Sequence, residues 1–217
     1  MNEKLKSFLE RTTFLGTLAR RRRYRRFEKK YIEWEKSGSI LPMPHFGKQQ
    51  VVSEYAVKFM PPVFIETGTY TGHMVYAMLN KFEEIYSIEL DHTLAEKAKK
   101  EFTGYRHVHI VQGESGEVLP RILKDIAQPC LFWLDAHYSG GSTAKGELET
   151  PIMQELSCIL NHRSARHHVL LIDDARCFTS RNDYPDLKKL KKFILDAQPN
   201  WIFEVKDDII RTHACKS

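Results

Sequence analysis

The sequence predicts an α/β protein built on an open, mostly parallel β-sheet that ends in an antiparallel hairpin. From Val63 onward, short apolar runs alternate with longer amphipathic runs, and strands that alternate with helices form parallel sheets covered by helices on both faces. The last two apolar runs, WIFEVK and DIIRTH, follow each other with almost no connection. Because a parallel crossover needs about a dozen residues or more, these two strands are expected to pair antiparallel.

The apolar pattern places five strands before the hairpin and helices between them. The predicted strands are VFIE (63–66), IYSIEL (85–90), HVHIVQ (107–112), CLFWLD (130–135) and HVLLID (168–173). Helix-like stretches lie around 72–82, 92–103, 117–127, 150–162 and 186–197. With the two strands of the hairpin, a seven-stranded sheet is expected.

The N-terminal part of the chain is predicted to be a helical arm, residues 1–46, that precedes a main domain, residues 47–217. Its apolar residues recur at helical spacing and form a stripe: Leu5, Phe8, Leu9, Leu15 and Leu18, with Thr12 among them. A break that contains Gly and Pro, SGSILPMPHFG (37–47), separates the arm from a predicted helix at 48–59.

The positive charge of the chain is concentrated in this arm. Residues 20–30 hold six arginines, two lysines and one glutamate, a net charge of +7, whereas the whole chain carries +5. The rest of the chain therefore carries −2, which argues against nucleic acid as a ligand of the main domain. An apolar stripe followed by cations fits a helix that lies on an anionic membrane through residues 1–30. Packing of the stripe on the main domain or on a partner subunit fits the same pattern.

The remaining composition is that of an ordinary globular protein. No run approaches the roughly 18 consecutive apolar residues of a membrane span, and the N-terminus lacks the features of a secretory signal. The four cysteines, Cys130, Cys158, Cys177 and Cys215, are widely spaced and form no C-x-x-C pair. Reduced thiols and a cytoplasmic location are expected.

Polar residues follow the first three predicted strands, at the strand ends where open α/β sheets bind ligands. In E-T-G-T-Y-T-G (66–72), Gly68 and Gly72 allow a tight turn and the close approach of a ligand, although such a turn can also merely join a strand to a helix. Glu89 can accept hydrogen bonds from both hydroxyls of a ribose, or cap the next helix. The segment QGES (112–115) suits the edge of a base, or a helix cap. The glycine spacing is not G-x-G-x-x-G, which disfavours a dinucleotide site.

Three carboxylates and a histidine follow the next two strands. Asp135 and His137 lie in CLFWLDAHY, and Asp173 and Asp174 in HVLLIDDAR. Neighbouring carboxylates raise each other's pKa unless a cation or an amine lies among them. Ligands that are all oxygen atoms suit Mg²⁺, Mn²⁺ or Ca²⁺ better than zinc. The sequence therefore predicts a divalent-metal site at Asp135, Asp173 and Asp174; alternatively, Asp174 faces solvent or caps a helix, and only two of the three converge.

These motifs resemble those of the class I S-adenosylmethionine-dependent methyltransferases. E-T-G-T-Y-T-G resembles the glycine loop of the catechol and caffeoyl-CoA O-methyltransferases, with tyrosine where many methyltransferases have a second glycine. The similarity continues through YSIELD, VQGESGEVLP, WLDAHY and LLIDDAR in the same order and covers about residues 50–213. The D-A-H and D-D variants also resemble macrocin-type sugar O-methyltransferases and their cephalosporin-pathway relatives. The resemblance implies a Rossmann-like class I methyltransferase fold.

The resemblance also implies a cofactor site and a metal site. The residues expected around the methionine part of S-adenosylmethionine are Glu66, Gly68, Tyr70 and Gly72. Those expected at its ribose and adenine are Glu89, Glu114 and Ser115. The residues expected to bind Mg²⁺ or Mn²⁺ are Asp135, Asp173 and Asp174, with Asp135 also near the amino group of the cofactor.

The general base is expected in the segment after Asp135. Catechol-type enzymes have a lysine base where this chain has Tyr138. His137, with an unperturbed pKa near 6.5, is the better candidate, and Tyr138 is the alternative. His137 can equally be read as a residue that only hydrogen-bonds the loop. The glycine-rich segment SGGSTAKGELE (139–149) fits either a lid over the acceptor or an ordinary surface loop.

The expected function is metal-assisted transfer of a methyl group to a hydroxyl of a sugar, glycan or natural product, with a phenol or catechol as the alternative acceptor. A nicotinamide dehydrogenase would share the sheet and the acid at the ribose, but the glycine spacing opposes it. A binding domain without catalytic activity would have no need for a cluster of acidic residues at its strand ends. Methylation of RNA is suggested by the arginine cluster, but the main domain is slightly acidic and has no N-P-P-Y-type loop after the fourth strand.

Overall fold

The computed structural model describes residues 14–135, 150–181 and 183–215, with side chains from residue 24 onward. The chain divides into two compact units, one up to Val51 and one from Val52. The arm boundary that the sequence predicts, after residue 46, stays a prediction. Within the described ranges, no helix combines the length and the apolar character that crossing a membrane requires.

The first unit contains helix α1 (Phe14–Lys36) and the start of helix α2 (His45–Phe59). The rings of Tyr24 and Tyr31 pack on Phe46, with centroids 5.0 and 5.7 Å apart, and the indole N–H of Trp34 donates to the carbonyl of Ile40 at 2.6 Å. These contacts tie the end of α1 to the start of α2. Helix α2 begins before residue 48, so the predicted break was drawn a few residues too long.

The second unit contains a seven-stranded sheet in the described part of the chain. Its strands are β1 (Val63–Thr67), β2 (Glu84–Glu89), β3 (Val108–Gln112), β4 (Cys130–Leu134), β5 (Val169–Ile172), β6 (Trp201–Lys206) and β7 (Ile209–Ala214). Their spatial order is β3-β2-β1-β4-β5-β7-β6. Strands β1 to β5 pair in parallel, and β7 pairs antiparallel with both β5 and β6. The predicted mostly parallel sheet with a C-terminal antiparallel hairpin is confirmed.

Helices connect the strands and cover both faces of the sheet. They are α3 (His73–Met78), α4 (His92–Phe102), α5 (Ser115–Asp125), α6 (Ile152–Leu160) and α7 (Leu187–Ala197). The chain builds the sheet in one direction as far as β3 and then returns to β4 beside β1. Because βαβ crossovers are right-handed, the helices before and after this reversal lie on opposite faces. Every residue of β1, β4 and β5 is accordingly buried.

The register of the central strands brings their carboxyl ends to one level. Thr67 of β1 pairs with Leu134 of β4, and Leu134 pairs with Ile172 of β5. The next residues along β4 and β5, Asp135 and Asp173, therefore leave the sheet side by side. The reversal between β1 and β4 lies at this same edge, which is where open α/β sheets bind ligands.

Candidate functional site

The turn after β1 is bent by its two glycines. Gly68 and Gly72 have positive φ values of 95° and 69°, and the backbone N–H of Gly68 donates to the carbonyl of Ile88 at 2.9 Å. A Cβ on Gly72 would lie 2.7 Å from the ring of Phe102, so a larger residue would clash there in addition to straining the backbone. Tyr70 also has a positive φ, 46°, and its side chain is exposed.

Glu89, at the end of β2, holds this turn in place. One carboxylate oxygen accepts the backbone N–H of Tyr70 at 2.6 Å, and the other accepts the N–H of Asp91 at 3.0 Å. Asp91, and not Glu89, caps helix α4 by accepting the N–H of Leu94 at 2.8 Å. Because a carboxylate has about four acceptor positions, Glu89 retains capacity for the hydroxyls of a ligand.

Glu66 is a buried carboxyl at the end of β1. Thr69 donates to Ser87 at 2.5 Å, and Ser87 donates to Oε1 of Glu66 at the same distance. Oε2 is buried and has no hydrogen-bond partner among the residues that the structure describes. Burial raises the pKa of Glu66 to about 8, and the charges of Asp135 and Glu89 add to the effect, while the Ser87 hydrogen bond opposes it.

The residues after β3 lie beside the end of β2. The N–H of Gly113 donates to the carbonyl of Glu89 at 2.9 Å. Glu114 stands at the N-cap position of α5, where its side chain makes no capping hydrogen bond. Ser115 is buried, and its hydroxyl has no partner within hydrogen-bonding geometry in the described ranges. The residues expected at the ribose and adenine thus come from adjacent strand ends.

Asp135, Asp173 and Asp174 come together at the ends of β4 and β5. One carboxylate oxygen from each lies within 4.8 Å of those from the other two. Asp173 and Asp174 are buried, and the N–H of Asp174 donates to Asp173 at 2.9 Å. Asp174 has a left-handed backbone conformation, with φ 54°, which is costly for a non-glycine residue. The turn thereby brings two consecutive carboxylates into one cluster.

An arginine lies against this cluster, although no sequence pattern predicts it there. The guanidinium of Arg176 donates to Asp174 at 2.6 Å and also to Asp208, in the turn between β6 and β7. Asp208 accepts the backbone N–H of Arg176 at 2.8 Å as well. Arg176 therefore supplies part of the positive charge that adjacent carboxylates require. Asp208 lies 32 positions after Arg176 in the sequence, and no sequence motif links the two residues.

A second unanticipated residue is Glu155, in the first turn of α6. It is 1% exposed, and its Oε1 has no hydrogen-bond partner in the part of the chain described. Burial raises its pKa to about 7, although the hydroxyls of Ser115 and Thr67 lower it. It lines a pocket at the ends of β4 and β5 together with Asp135 and Asp173. One sequence feature could have indicated Glu155: it is an acidic residue within the apolar stripe of α6, the face of the helix that packs into the core.

The expected general base lies outside the described residues. His137, its alternative Tyr138 and the glycine-rich segment 139–149 all fall within the range 136–149. Their assignments stay predictions.

Compared by sequence, the chain matches no protein-family model and no curated protein. Its structure matches that of the methyltransferase PaMTH1 of Podospora anserina, bound to S-adenosylhomocysteine, with a TM-score of 0.57 and 18% identity over 84% of this chain and 86% of the other. It also matches the O-methyltransferase TomG of Streptomyces achromogenes, in complex with S-adenosylmethionine, with a TM-score of 0.56 and 16% identity over 86% and 87%. A candidate caffeoyl-CoA O-methyltransferase of Staphylococcus aureus gives a TM-score of 0.55 and 13% identity over 86% and 91%.

The fold is therefore that of the class I methyltransferases, and solved O-methyltransferases are among the structures it resembles. These likenesses extend over most of this chain and most of each matched chain. At identities below 20% they show the shared fold, so the chemistry must be argued from the site itself.

Proposed function

We propose that this protein is an S-adenosylmethionine-dependent O-methyltransferase that uses a divalent cation to methylate a hydroxyl of a sugar, glycan or natural product. The observation that carries the proposal is the convergence of Asp135, Asp173 and Asp174 within 4.8 Å, at the sheet edge that also bears the glycine turn. An anionic cluster beside a cofactor-binding turn suits chemistry in which a hydroxyl must lose a proton.

The residues present fit S-adenosylmethionine. The cofactor carries an ammonium group, and the buried Oε2 of Glu66 lacks a partner among the described residues. Glu89 has remaining acceptor positions beside the turn, where a ribose would need them. Gly68 and Gly72 have no side chains that would obstruct the approach of the cofactor to the turn. When bound, the cofactor supplies an activated methyl group.

The carboxylate cluster fits a hard divalent cation. Its donors are all oxygen atoms, which Mg²⁺ and Mn²⁺ prefer. Asp135, Asp173 and Asp174 would hold the ion, which lowers the pKa of a bound hydroxyl. Arg176 already neutralises part of the charge of Asp174. The site is therefore expected to bind a divalent cation with moderate rather than very high affinity.

The side chains of this protein would orient the reactants. Glu89 fixes the glycine turn by accepting the backbone N–H of Tyr70, so the methyl-bearing end of the cofactor would have a defined position. The N–H of Asp135 donates to the backbone carbonyl of Thr67 at 3.2 Å and to its side-chain hydroxyl at 3.3 Å, which fixes where the acid leaves β4. His137 is proposed to take the proton of the acceptor, with Tyr138 as the alternative. Alignment of the reacting atoms contributes a large part of such a rate enhancement.

Three measurements on the full chain test this function. Calorimetry should show binding of S-adenosylhomocysteine, and a panel of methyl glycosides and phenols with radiolabelled S-adenosylmethionine should reveal a methylated acceptor. EDTA should abolish transfer, and Mg²⁺ or Mn²⁺ should restore it.

A matched pair of variants examines the metal site. Asp173→Asn should lower Mn²⁺ affinity, measured by calorimetry, by at least about tenfold. Asp183→Asn, which changes an exposed acid, should leave it unchanged. Full activity in EDTA would contradict the role of the metal, and failure to bind S-adenosylhomocysteine would contradict the methyltransferase function itself.

The cytoplasm is the proposed location. The four cysteines are free, with Cys130 buried and Cys158 and Cys177 half-buried. Burial raises the pKa of Cys130 to about 12, so its thiol is unreactive at neutral pH. Reduced, inert thiols of this kind are typical of a reducing compartment.

A further inference from the structure

Asp208, a buried acid in the turn between β6 and β7, holds the chain segment that follows Asp174. Its backbone carbonyl accepts the N–H of Ala175 at 2.8 Å, and one carboxylate oxygen accepts the backbone N–H of Arg176 at 2.8 Å. Its other carboxylate oxygen accepts the guanidinium of Arg176. These three hydrogen bonds fix Arg176 beside Asp174, which is a candidate metal ligand two positions earlier in the chain.

One nitrogen of Arg176 serves two carboxylates. Its Nη1 donates to Asp174 at 2.6 Å and also donates to Asp208. Both acids are buried, whereas the side chain of Arg176 is 42% exposed. Buried acids that lie close together are costly unless a cation compensates their charge. Arg176 therefore supplies a compensating charge from a side chain that still has room to move.

The contact between Arg176 and Asp174 opposes the binding of a divalent cation. Asp174 contributes one oxygen to the cluster that it forms with Asp135 and Asp173, within 4.8 Å. A guanidinium at 2.6 Å from this carboxylate repels a second cation and occupies one of its acceptor positions. Asp208 is not among the three clustered acids, so a guanidinium that contacts Asp208 alone would leave Asp174 available to the metal.

We propose that Arg176 is an internal counter-ion that competes with the divalent cation for Asp174, and that Asp208 is a positioning residue that retains the guanidinium when the cation binds. This inference rests on the proposed metal-assisted function. Without the cation, Arg176 bridges Asp174 and Asp208; with the cation, it contacts Asp208 alone. The buried acids are compensated in both states, and the exchange limits the affinity for the metal. A guanidinium that merely supported the ligand Asp174 would have the opposite effect, because its removal would lower the affinity.

The test measures Mn²⁺ affinity of the full chain by calorimetry. Arg176→Gln should raise the affinity at least about fivefold, and Arg176→Lys, which keeps the charge, should stay closer to wild type. Asp208→Asn should lower the affinity about fivefold or more, because the guanidinium then has Asp174 as its remaining carboxylate. The double variant should lie within about twofold of Arg176→Gln, since Asp208 acts through Arg176.

Thermal unfolding separates this role from a merely structural one. Without Mn²⁺, Arg176→Gln should have a lower Tm than wild type, because the acids have lost their counter-ion. Saturating Mn²⁺ should raise its Tm more than that of wild type, since tighter binding stabilises the folded state more. Arg181→Gln and Asp183→Asn make the same charge changes at exposed positions and should leave Mn²⁺ affinity within about twofold of wild type.

The outcomes distinguish this inference from the proposed function. If Mn²⁺ binds wild type and Arg176→Gln equally well, or binds the variant more weakly, the inference is overturned while the metal site stands. An equal loss of Tm with and without Mn²⁺ also overturns it. Should Arg176→Gln fail to fold, Asp208→Asn decides the matter, and an unchanged affinity there overturns the inference. A wild type that binds no Mn²⁺ defeats the metal-assisted mechanism together with this inference, whereas binding of S-adenosylhomocysteine tests the methyltransferase function separately.

Discussion

Glu66 illustrates how much a single buried side chain affects the energetics of this protein. Its carboxyl has one hydrogen-bond donor, Ser87, while its other oxygen has no partner in the described ranges. Burial raises its pKa to about 8, well above that of an exposed glutamate. At neutral pH the folded protein without cofactor therefore keeps Glu66 mostly protonated.

This shift predicts a pH-dependent change in stability. The folded state retains the Glu66 proton up to about pH 8, whereas the unfolded state loses it near pH 4.5. Folding therefore binds a proton in this window, and stability falls as the pH rises through it. Glu66→Gln keeps the acceptor for Ser87 but cannot ionise. As the pH rises from 5 to 8, the free energy of unfolding of Glu66→Gln should increase relative to that of wild type by at most about 1.4 kcal/mol per pH unit.

Urea unfolding at several pH values measures this difference. Glu204→Gln, a change of an exposed acid in β6, should run parallel to wild type across the same range. A constant difference between Glu66→Gln and wild type from pH 5 to pH 8 would show that Glu66 ionises normally in the folded state.

Glu89 combines structural and ligand-binding roles at one carboxylate. It accepts the backbone N–H of Tyr70 in the glycine turn and that of Asp91 after β2, and it is proposed to accept the ribose hydroxyls as well. Glu89→Gln should weaken S-adenosylhomocysteine binding by about 1.5–3 kcal/mol for each charge-assisted hydrogen bond lost. Glu84→Gln changes an acid at the other end of the same strand and should leave affinity unchanged. Calorimetry that finds equal affinities for Glu89→Gln and wild type would remove Glu89 from the cofactor site.

At the scale of secondary-structure elements, a pair of histidines links the amino ends of β4 and β5. The N–H of Cys130 donates to Nδ1 of His168 at 3.0 Å, so the proton of neutral His168 must be on Nε2. That nitrogen lies 2.8 Å from Nδ1 of His162, whose Nε2 lies 2.9 Å from the carbonyl of Ile126. The Nε2–H of His168 can therefore donate to His162, and the Nε2 of His162 can donate to Ile126, so hydrogen bonds run from β4 to the end of α5.

This arrangement predicts sensitivity to acid. Burial, together with the charges of His162 and His167, lowers the pKa of His168 to about 3. Below pH 6.5 the unfolded state takes up a proton that the folded state does not, so stability falls as the pH falls toward 3. The loss due to His168 should reach about 2 kcal/mol at pH 5. His168→Asn keeps an acceptor for Cys130 and should remove this loss.

Thermal or urea unfolding between pH 7 and pH 5 provides the comparison. His92→Asn, which replaces an exposed histidine at the start of α4, should retain the acid sensitivity of wild type. If His168→Asn loses stability with acid as steeply as wild type does, His168 is already protonated in the folded protein.

At the scale of the whole molecule, charge is distributed very unevenly. The segment 20–30 carries +7 while the rest of the chain carries −2. Helix α1 extends through this segment, and the side chains of Arg25, Arg26, Lys29 and Lys30 are exposed. We propose that this end of α1 contacts an anionic membrane, where each cation contributes about 1 kcal/mol near the surface. Such contact would suit a lipid-linked acceptor.

Co-sedimentation with liposomes tests the proposed contact. Full-length protein should pellet with vesicles that contain anionic lipid at low salt and should be released at high salt. A variant in which the six arginines of segment 20–30 are replaced by glutamine should stay in the supernatant. If the wild type fails to pellet, or if both proteins pellet equally, the arm does not bind membranes and its cations serve another partner.

The sequence by itself determined the elements, their order and the edge at which the site forms. Strand and helix periods are local properties, and an almost absent connection between the last two strands leaves only an antiparallel pairing. Since parallel strands all end at the same edge, residues such as Glu66, Glu89 and Asp135 had to lie near one another once the strands were placed.

Only the tertiary structure decided which side chains meet and what each one contacts. Arg176 reaches both Asp174 and Asp208 because β7 inserts between β5 and β6 in the sheet, and nothing local predicts that order. Glu155 lies near Ser115 and Thr67 because α5 and α6 pack together over the sheet. These contacts join residues distant in sequence, so they depend on strand order and helix packing. Local periodicity therefore located the candidate site, while its charge balance and its buried unpaired oxygens followed from the packing of the whole domain.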